Sequence, residues 1–336
     1  MRSPNDSFAI VLCTFNGARF LDAQLASLRV QAGVAEIIAV DDGSTDGTLA
    51  ILERHAAVDR RLVISQNPSR LGVNRNFEHA ISLARSPWIA LADQDDVWLP
   101  GKLARLRAEW DGRSCLVHHP TRKFRGALPT TLPSPAGERR KFAGADLRRL
   151  LYRNTIVGHT ILARADVLHA LAPFPAGVPY DWWIGVGAAA IGTVQYVDEY
   201  LVLYRIHENN AYHPAGSRVR RLRDEHRLRL SLLDALAGAP RVGGAPRDFV
   251  EHFRRLLVAA SPRVFSWRLW RFYWRHAAIL FGERRSPVSW FTALRKSVGA
   301  TCGAMAQAPV PVDALTLERP AFSKSAAAAS TLKKVG

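Results

Sequence analysis

Three carboxylates stand within four residues at Asp93-Gln94-Asp95-Asp96, directly after the apolar run Trp88-Ile89-Ala90-Leu91-Ala92. Such a run reads as a buried strand, so the acids gather at its end. Each ionised carboxylate raises the pKa of its neighbours, and burial adds to the cost. A divalent cation offsets that repulsion, because hard cations take oxygen ligands. Magnesium or manganese usually takes only one or two carboxylates and completes its shell with phosphate oxygens. The cluster therefore points to a metal-bound diphosphate. The bland alternative is an acidic surface turn, which the apolar run before it disfavours.

Two further polar motifs end apolar runs. Phe8-Ala9-Ile10-Val11-Leu12 leads into Cys13-Thr14-Phe15-Asn16-Gly17, and Glu36-Ile37-Ile38-Ala39-Val40 leads into Asp41-Asp42-Gly43-Ser44-Thr45-Asp46. Amphipathic patterns follow each, with Phe20, Leu21, Leu25 and Leu28 after the first and Leu49, Ile51 and Leu52 after the second. Strand, polar turn and helix in repetition predict a parallel sheet covered by helices. Ligands of such sheets sit beyond the carboxyl ends of the strands, so the three motifs are expected in one crevice. Taken alone, Thr14 and Asn16 also read as caps of the helix near Gly17. Ser44 or Thr45 reads as a cap of the next helix, with Asp41 and Asp42 as turn residues.

In order and spacing, Cys13–Gly17, Val40–Asp46 and Asp93–Trp98 resemble the signatures of glycosyltransferase family 2, over roughly residues 8–210. The Asp-Gln-Asp-Asp form resembles rhamnosyltransferase-like members that build bacterial surface polysaccharides. The resemblance implies an α/β GT-A fold, a nucleotide-diphospho-sugar donor and a Mg or Mn cofactor. It places Thr14 and Asn16 beside the nucleotide and Asp42 on the nucleobase, where a carboxylate accepting a base N–H selects uracil- or thymine-type rings. In Leu71-Gly72-Val73-Asn74-Arg75-Asn76-Phe77 it offers Arg75 to the nucleotide, with Arg70 competing. Asp95 would meet the ribose or bridge to the metal, Asp96 would be the direct ligand and Asp93 would stand behind them. Gly158 and His159, in Asn154–Thr160, would line the donor sugar and diphosphate. His207, in Tyr204-Arg205-Ile206-His207, would complete the metal site or hold the diphosphate, and Arg205 would neutralise a phosphate.

Tyr180-Asp181-Trp182-Trp183 resembles the family element whose Asp is the catalytic base, although Tyr180 stands where His is common. A carboxyl beside two indoles is partly desolvated, which raises its pKa toward a working range. A helix-capping Asp is the plain alternative. The family is inverting, so Asp181 would take the acceptor's proton as its oxygen attacks the anomeric carbon. A glycosidase also uses two carboxylates but needs no nucleotide-type half. A nucleotidyltransferase needs a Gly-rich basic loop after the first strand, and Thr14–Arg19 holds one Gly and one Arg.

The chain has 336 residues, 48% hydrophobic, with a net charge of +17. Three scattered cysteines suggest neither a disulfide framework nor a zinc site and fit a reducing compartment. Met1–Asp6 has no signal-peptide pattern, and no apolar stretch is long enough to span a bilayer, so a cytoplasmic location is expected. Three sections are expected: a catalytic domain over 1–215, a basic helical extension over 216–303 and a disordered tail over 304–336. Helices are expected over Arg218–Ala235 and Pro246–Ala259. Val264–Arg275 interleaves Trp and Phe with Arg, as helices at an anionic membrane surface do. Such a position at the inner face of the cell membrane would suit a lipid-linked acceptor; a glycan acceptor is the alternative. Packing of that aromatic face on the catalytic domain, with Arg side chains outward, is the competing reading. The basic charge also admits a nucleic-acid-binding module on the same scaffold, but no zinc-finger, homeodomain or RNP pattern accompanies it, so no nucleic acid is expected.

Overall fold

A computed structural model describes residues 7–131, 135, 142–208, 210, 218–260, 265–282 and 290–297. The elements run β1 (Phe8–Thr14), α1 (Ala18–Arg29), β2 (Val34–Asp41), α2 (Thr48–Ala56), β3 (Leu62–Gln66), α3 (Val73–Leu83), β4 (Trp88–Ala92), β5 (Val97–Trp98), α4 (Lys102–Ala108), β6 (Leu116–His118) and β7 (Arg122–Phe124). They continue with β8 (Leu162–Arg164), α5 (Ala165–Leu171), α6 (Tyr180–Ile191), β9 (Val194–Tyr196), β10 (Val202–Arg205), α7 (Arg218–Ala237), α8 (Gly244–Ala260), α9 (Trp267–Arg275) and α10 (Ala277–Phe281).

Seven strands form one sheet in the order β3-β2-β1-β4-β8-β6-β9. The first four are mutually parallel, and β8 runs antiparallel to both β4 and β6. A small second sheet, β5-β10-β7, lies beside it. The chain builds β1, β2 and β3 outward in one direction, then returns to lay β4 on the other side of β1. That reversal between β1 and β4 is the switch point at which sheets of this kind open a crevice.

Both faces of the parallel half are covered, which is why its strands read as continuous apolar runs. Successive residues still divide between two cores, because side chains alternate across a strand. Ile10, Leu12, Ile37, Ala39, Ala90 and Ala92 pack with Leu21, Leu25 and Leu28 of α1 and Leu103 of α4. Ala9, Val11, Ile38, Val40, Ile89 and Leu91 face the other way, toward Phe77 and Ile81 of α3.

The second core does not end at the catalytic half. It continues through Leu232 and Leu236 of α7, Phe253 and Leu257 of α8, and Leu269 and Tyr273 of α9. The basic extension therefore shares a hydrophobic core with residues 1–215. A buried arginine joins the two: Arg229 of α7 donates through Nε to the Tyr152 carbonyl (3.1 Å), with its guanidinium 4.2 Å from that ring's centre. Helices α7 and α8 occupy the two amphipathic segments read from the sequence. No helix among the described residues is long and apolar enough to cross a membrane. The expected tail over 304–336 lies outside the described residues.

Candidate active site

The ends of β1 and β2 are tied to each other. Thr14 Oγ1 donates to Asp41 Oδ1 (2.9 Å), while Asp41 Oδ2 accepts from the Gly43 and Ser44 amides. Asn16 takes a left-handed conformation (φ 47°), which Asn tolerates better than most residues. Its amide donates to Ser44 Oγ (2.8 Å) and its Oδ1 accepts from the Thr45 amide (2.9 Å). Neither Thr14 nor Asn16 caps α1. The first amides there are taken from the neighbouring loop, Gly17 by Thr48 Oγ1 (2.9 Å) and Ala18 by Asp46 Oδ2 (3.1 Å). Asp46 also accepts from the Thr48 amide, so it caps α2 in place of the expected Ser44 or Thr45.

From these loops a cavity of about 540 Å³ runs past the end of β4 to the start of α6. Thr14, Phe15, Asp42 and Arg70 line one end, and Asp93, Asp95, Gly158, His159, Tyr180 and Asp181 line the other. The structure thus brings most of the expected residues together. Asn16 and Arg75 are not in that lining. Arg75 points outward, half-exposed, and pairs with Glu78 one turn on (2.8 Å). Helix α3 buries the face carrying Asn76, Phe77, Ala80 and Ile81, and Arg75 lies off it. Arg70 has the place instead, its guanidinium 3.8 Å from the centre of the Phe15 ring.

Asp42 organises the loop before α3. Its Oδ1 accepts from Asn67 Nδ2 (2.9 Å) and the Leu71 amide (2.7 Å), and its Oδ2 accepts from the Gly72 amide (2.8 Å). A carboxylate has about four acceptor sites, so three bonds leave one on Oδ2, in a residue that lines the cavity. Gly72 adopts φ 80°, which a side chain would resist.

The acids after β4 diverge. Gln94 pins the β1 loop, accepting from the Phe15 amide (2.9 Å) and donating to the Phe15 carbonyl (3.1 Å). A methyl at Gly17 would fall 2.1 Å from Gln94 Oε1, which accounts for glycine there. Asp95 turns to the cavity, with Oδ2 2.7 Å from His207 Nε2 and 3.3 Å from Asn210 Nδ2. Burial, and then Asp93, raise its pKa, while His207 opposes them.

Asp96 turns inward and is fully buried. Its Oδ1 accepts from the Arg205 amide (3.2 Å), and its Oδ2 lies 3.0 Å from His159 Nδ1. That ring nitrogen also lies 2.9 Å from Asp93 Oδ2. The fully buried Lys102 donates to the His159 carbonyl (2.6 Å) and lies 3.5 Å from the centre of the Trp98 ring. Burial pushes Asp96 up, with His159 opposing, and pushes Lys102 down, with Asp96 opposing. Arg205, expected at a phosphate, braces this turn: its Nε donates to the Asp95 carbonyl (3.1 Å) and its guanidinium lies 4.7 Å from the centre of Phe20 and 4.6 Å from that of Phe124.

Asp181 sits in the first turn of α6 and accepts from the Trp182 amide through Oδ1 (2.7 Å). Burial raises its pKa to about 7 against that hydrogen bond, with the Asp93 charge adding to the rise. The two indoles next to it are anchors, Trp182 Nε1 donating to the Leu150 carbonyl (2.8 Å) and Trp183 Nε1 to the Leu171 carbonyl (2.9 Å). Asn74, which the sequence reading passed over, clamps this end of the helix. Its Nδ2 donates to the Val178 carbonyl (2.5 Å) and its Oδ1 accepts from the Tyr180 amide (3.0 Å).

Gly158 has a steric reason. A methyl there would fall 1.9 Å from the Tyr180 hydroxyl, and that ring is held by stacking on Phe77 (4.0 Å between centres). No local sequence signal marks Asn74 or Lys102, because each acts on residues far along the chain.

Residues 9–171 match the description Glycosyl transferase family 2. That segment, just under half of the chain, is similar to a family 2 glycosyltransferase domain. An uncharacterized protein of Mycobacterium tuberculosis is 30% identical over 62% of this chain and 61% of its own length. An uncharacterized glycosyltransferase of Haemophilus influenzae is 24% identical over 60% of this chain and 66% of its own. The chain thus spans about three-fifths of the length of the curated relatives it matches. The shorter match to the succinoglycan biosynthesis protein ExoU of Rhizobium meliloti is 30% identical over 32% of each chain. Among solved structures, S. aureus TarS 1–349 in complex with UDP-GlcNAc superposes with a TM-score of 0.59 at 18% identity, covering 89% of this chain and 90% of that one. The mannosyltransferase PcManGT from Pyrobaculum calidifontis, in complex with GDP-Man and Mn2+, gives 0.54 at 19%, covering 90% and 87%. These likenesses establish the GT-A fold around the family 2 domain, as the resemblance implied.

Proposed function

We propose that this chain is an inverting glycosyltransferase that moves a sugar from a nucleotide-diphosphate donor to a hydroxyl of a glycan or lipid-linked acceptor, in the building of a surface polysaccharide. The observation that carries the reading is the cavity at the β1–β4 switch point. It sets a nucleotide-type end (Phe15, Asp42, Arg70) and a pair of acids (Asp93, Asp95) beside one carboxyl whose pKa is raised to about 7 (Asp181). The donor is a dTDP-rhamnose-like or UDP-sugar, in keeping with the free acceptor site on Asp42. TarS, similar in fold, is in complex with UDP-GlcNAc and PcManGT with GDP-Man.

The donor set for a divalent cation fits Asp95 and His207, which stand within 2.7 Å of each other where Asp95 faces the cavity. Two protein ligands leave the rest of the shell to phosphate oxygens, as magnesium and manganese prefer. Asp93, Asp96 and His159 also lie close enough to hold an ion. That cluster is set back from the cavity, since Asp96 is fully buried and absent from the lining, although Asp96 Oδ2 and His159 Nε2 are buried without a hydrogen-bond partner among the described residues. Asp96, expected as the direct ligand, stays a candidate through this second cluster and also anchors the acid turn through the Arg205 amide. When bound, Mg or Mn would neutralise charge on the leaving diphosphate.

In this reading Asp42 and Arg70 seat the nucleotide, and Gly158 lets Tyr180 approach Asp93. Asn74 holds the start of α6 so that Asp181 faces the acceptor hydroxyl and takes its proton. The enzyme works peripherally at the inner face of the cell membrane. A donor screen tests the function: thermal shift and sugar release over a panel of nucleotide sugars, with and without Mn. Protection by at least one nucleotide diphosphate sugar, strengthened by Mn and lost in Asp95→Asn, is expected. Protection by RNA with none by any nucleotide sugar would favour the nucleic-acid reading instead.

A further inference from the structure

Between α8 and α9 lies a groove of about 1110 Å³, apart from the cavity already described. Arg268, Arg271 and Arg275 descend one side at helical spacing, and Arg255 of α8 stands opposite. All four are exposed, and among the described residues none forms an ion pair and no carboxylate lines the groove. Elsewhere Arg61, Arg105, Arg148 and Arg164 each hold a carboxylate.

Next to these guanidinium groups runs a contiguous row of aromatic rings. Trp267 meets Trp270 (5.3 Å), Trp270 meets Trp290 (5.6 Å) and Trp290 meets Phe291 (5.0 Å). Phe265 meets Trp267 in turn (5.0 Å), and Trp267 and Phe291, 68% and 64% exposed, are the exposed large aromatic side chains among the described residues. Underneath, Leu269, Phe272 and Tyr273 bury the opposite stripe of α9 in the core. Helix α9 is thus anchored by one face while a second face, aromatic and cationic, is unpartnered among the described residues.

We infer that this face, the α8–α9 arginine groove with its Trp267–Phe291 ridge, is the surface on which the protein sits on an anionic lipid bilayer. The inference deepens the proposed peripheral location and rests on it for its biological sense, but not on sugar transfer for its test. A small phosphate ligand would account for the arginines and leave the ridge unexplained. A bilayer accounts for both, since exposed indole and phenyl rings enter the headgroup region while arginines meet lipid phosphates. Arginine near an anionic surface contributes about fivefold in partitioning per residue. Loss of three therefore costs on the order of 100-fold.

The test uses the full chain and vesicles of phosphatidylcholine alone or mixed with phosphatidylglycerol. The wild type should co-sediment with the mixed vesicles, bind the neutral ones more weakly, and be released only in part at about 1 M salt, where screening falls to about 3 Å. Arg268→Gln, Arg271→Gln and Arg275→Gln together should lower binding to mixed vesicles on the order of 100-fold. Trp267→Ser with Phe291→Ser should lower binding to both kinds by at least about tenfold. Their exposure means the melting temperature should not move, so a folding defect is separable from a binding one. Thermal protection by UDP is measured on the same samples. If it persists while vesicle binding is absent from the wild type or unchanged in both variants, the membrane surface is overturned and the transferase reading stands. Loss of UDP protection in the wild type would count against the transferase reading alone. Displacement of the wild type from mixed vesicles by inorganic phosphate at low salt would make the groove a free-anion site and overturn the inference.

Discussion

Replacing Asp181 by Asn separates chemistry from structure at the proposed base. Burial raises this carboxyl to about 7, well above the ordinary carboxylate range, with Asp93 adding to the rise. At pH 6 only about one molecule in ten would carry the ionised base, so kcat/KM should fall about tenfold between the plateau above pH 8 and pH 6. An aspartate at its ordinary pKa would give a flat profile over that range. In Asp181→Asn the acidic limb should vanish and turnover should drop roughly 100-fold or more, with nucleotide binding kept. A second consequence follows for stability. A raised pKa means the folded state holds a proton that the unfolded chain has released, so this group costs more stability as pH climbs from about 4 to about 7. Asn carries no such charge and preserves the acceptor for the Trp182 amide. The variant's advantage over wild type should therefore grow from pH 5 to pH 8, by roughly 1 to 3 kcal/mol after allowing for the part of Asp181 open to the cavity. Stopped assays of sugar transfer across pH, with parallel denaturant melts, read both effects. A limb near pH 7 that survives in Asp181→Asn, or a stability gap that does not widen with pH, would refute the assignment.

Gly158→Ala should force Tyr180 off Phe77 and cost about 1–3 kcal/mol by overpacking, read as a lower denaturant midpoint together with reduced turnover. Asp95→Asn and His207→Ala should each weaken Mn-dependent nucleotide binding, whereas Asp96→Asn, buried away from the cavity, should leave the melting temperature at neutral pH unchanged or raised, since burial already disfavours its charge; calorimetric Mn titration beside a melting curve reads these outcomes. Arg70→Ala should weaken nucleotide binding while Arg75→Ala leaves it within about twofold of wild type, since a half-exposed ion pair contributes little. Lys102→Met should lower stability by about 1–3 kcal/mol, because the buried His159 carbonyl loses this donor, and a melt unaffected by the change would remove Lys102 from that role.

The sequence by itself determined the layout of the nucleotide half. Strands β1, β2 and β4 are buried on both faces, so their apolar runs stand out, and the polar residues after them had to lie at strand ends. The same logic exposed α7 and α8 through their periodicity, and it marked Cys13–Gly17, Asp41–Asp46 and Asp93–Asp96 as neighbours. What the tertiary structure decided is direction. Asp95 and Asp96 are adjacent and chemically alike, yet one faces the cavity and the other is sealed against His159, because the turn after β4 points successive side chains apart. Arg70 and Arg75 differ by the rotational phase of α3, which only the packing of Phe77 and Ile81 reveals. On α9, Leu269, Phe272 and Tyr273 chose the buried stripe, leaving Trp267 outside and Trp270 and Trp274 at the margin; composition held both the membrane and the packing readings without dividing the residues between them. Asn74 and Lys102 were illegible for a related reason. Asn74 bonds residues 104 and 106 positions away, Lys102 a carbonyl 57 positions away, and pattern along a chain reports only on near neighbours.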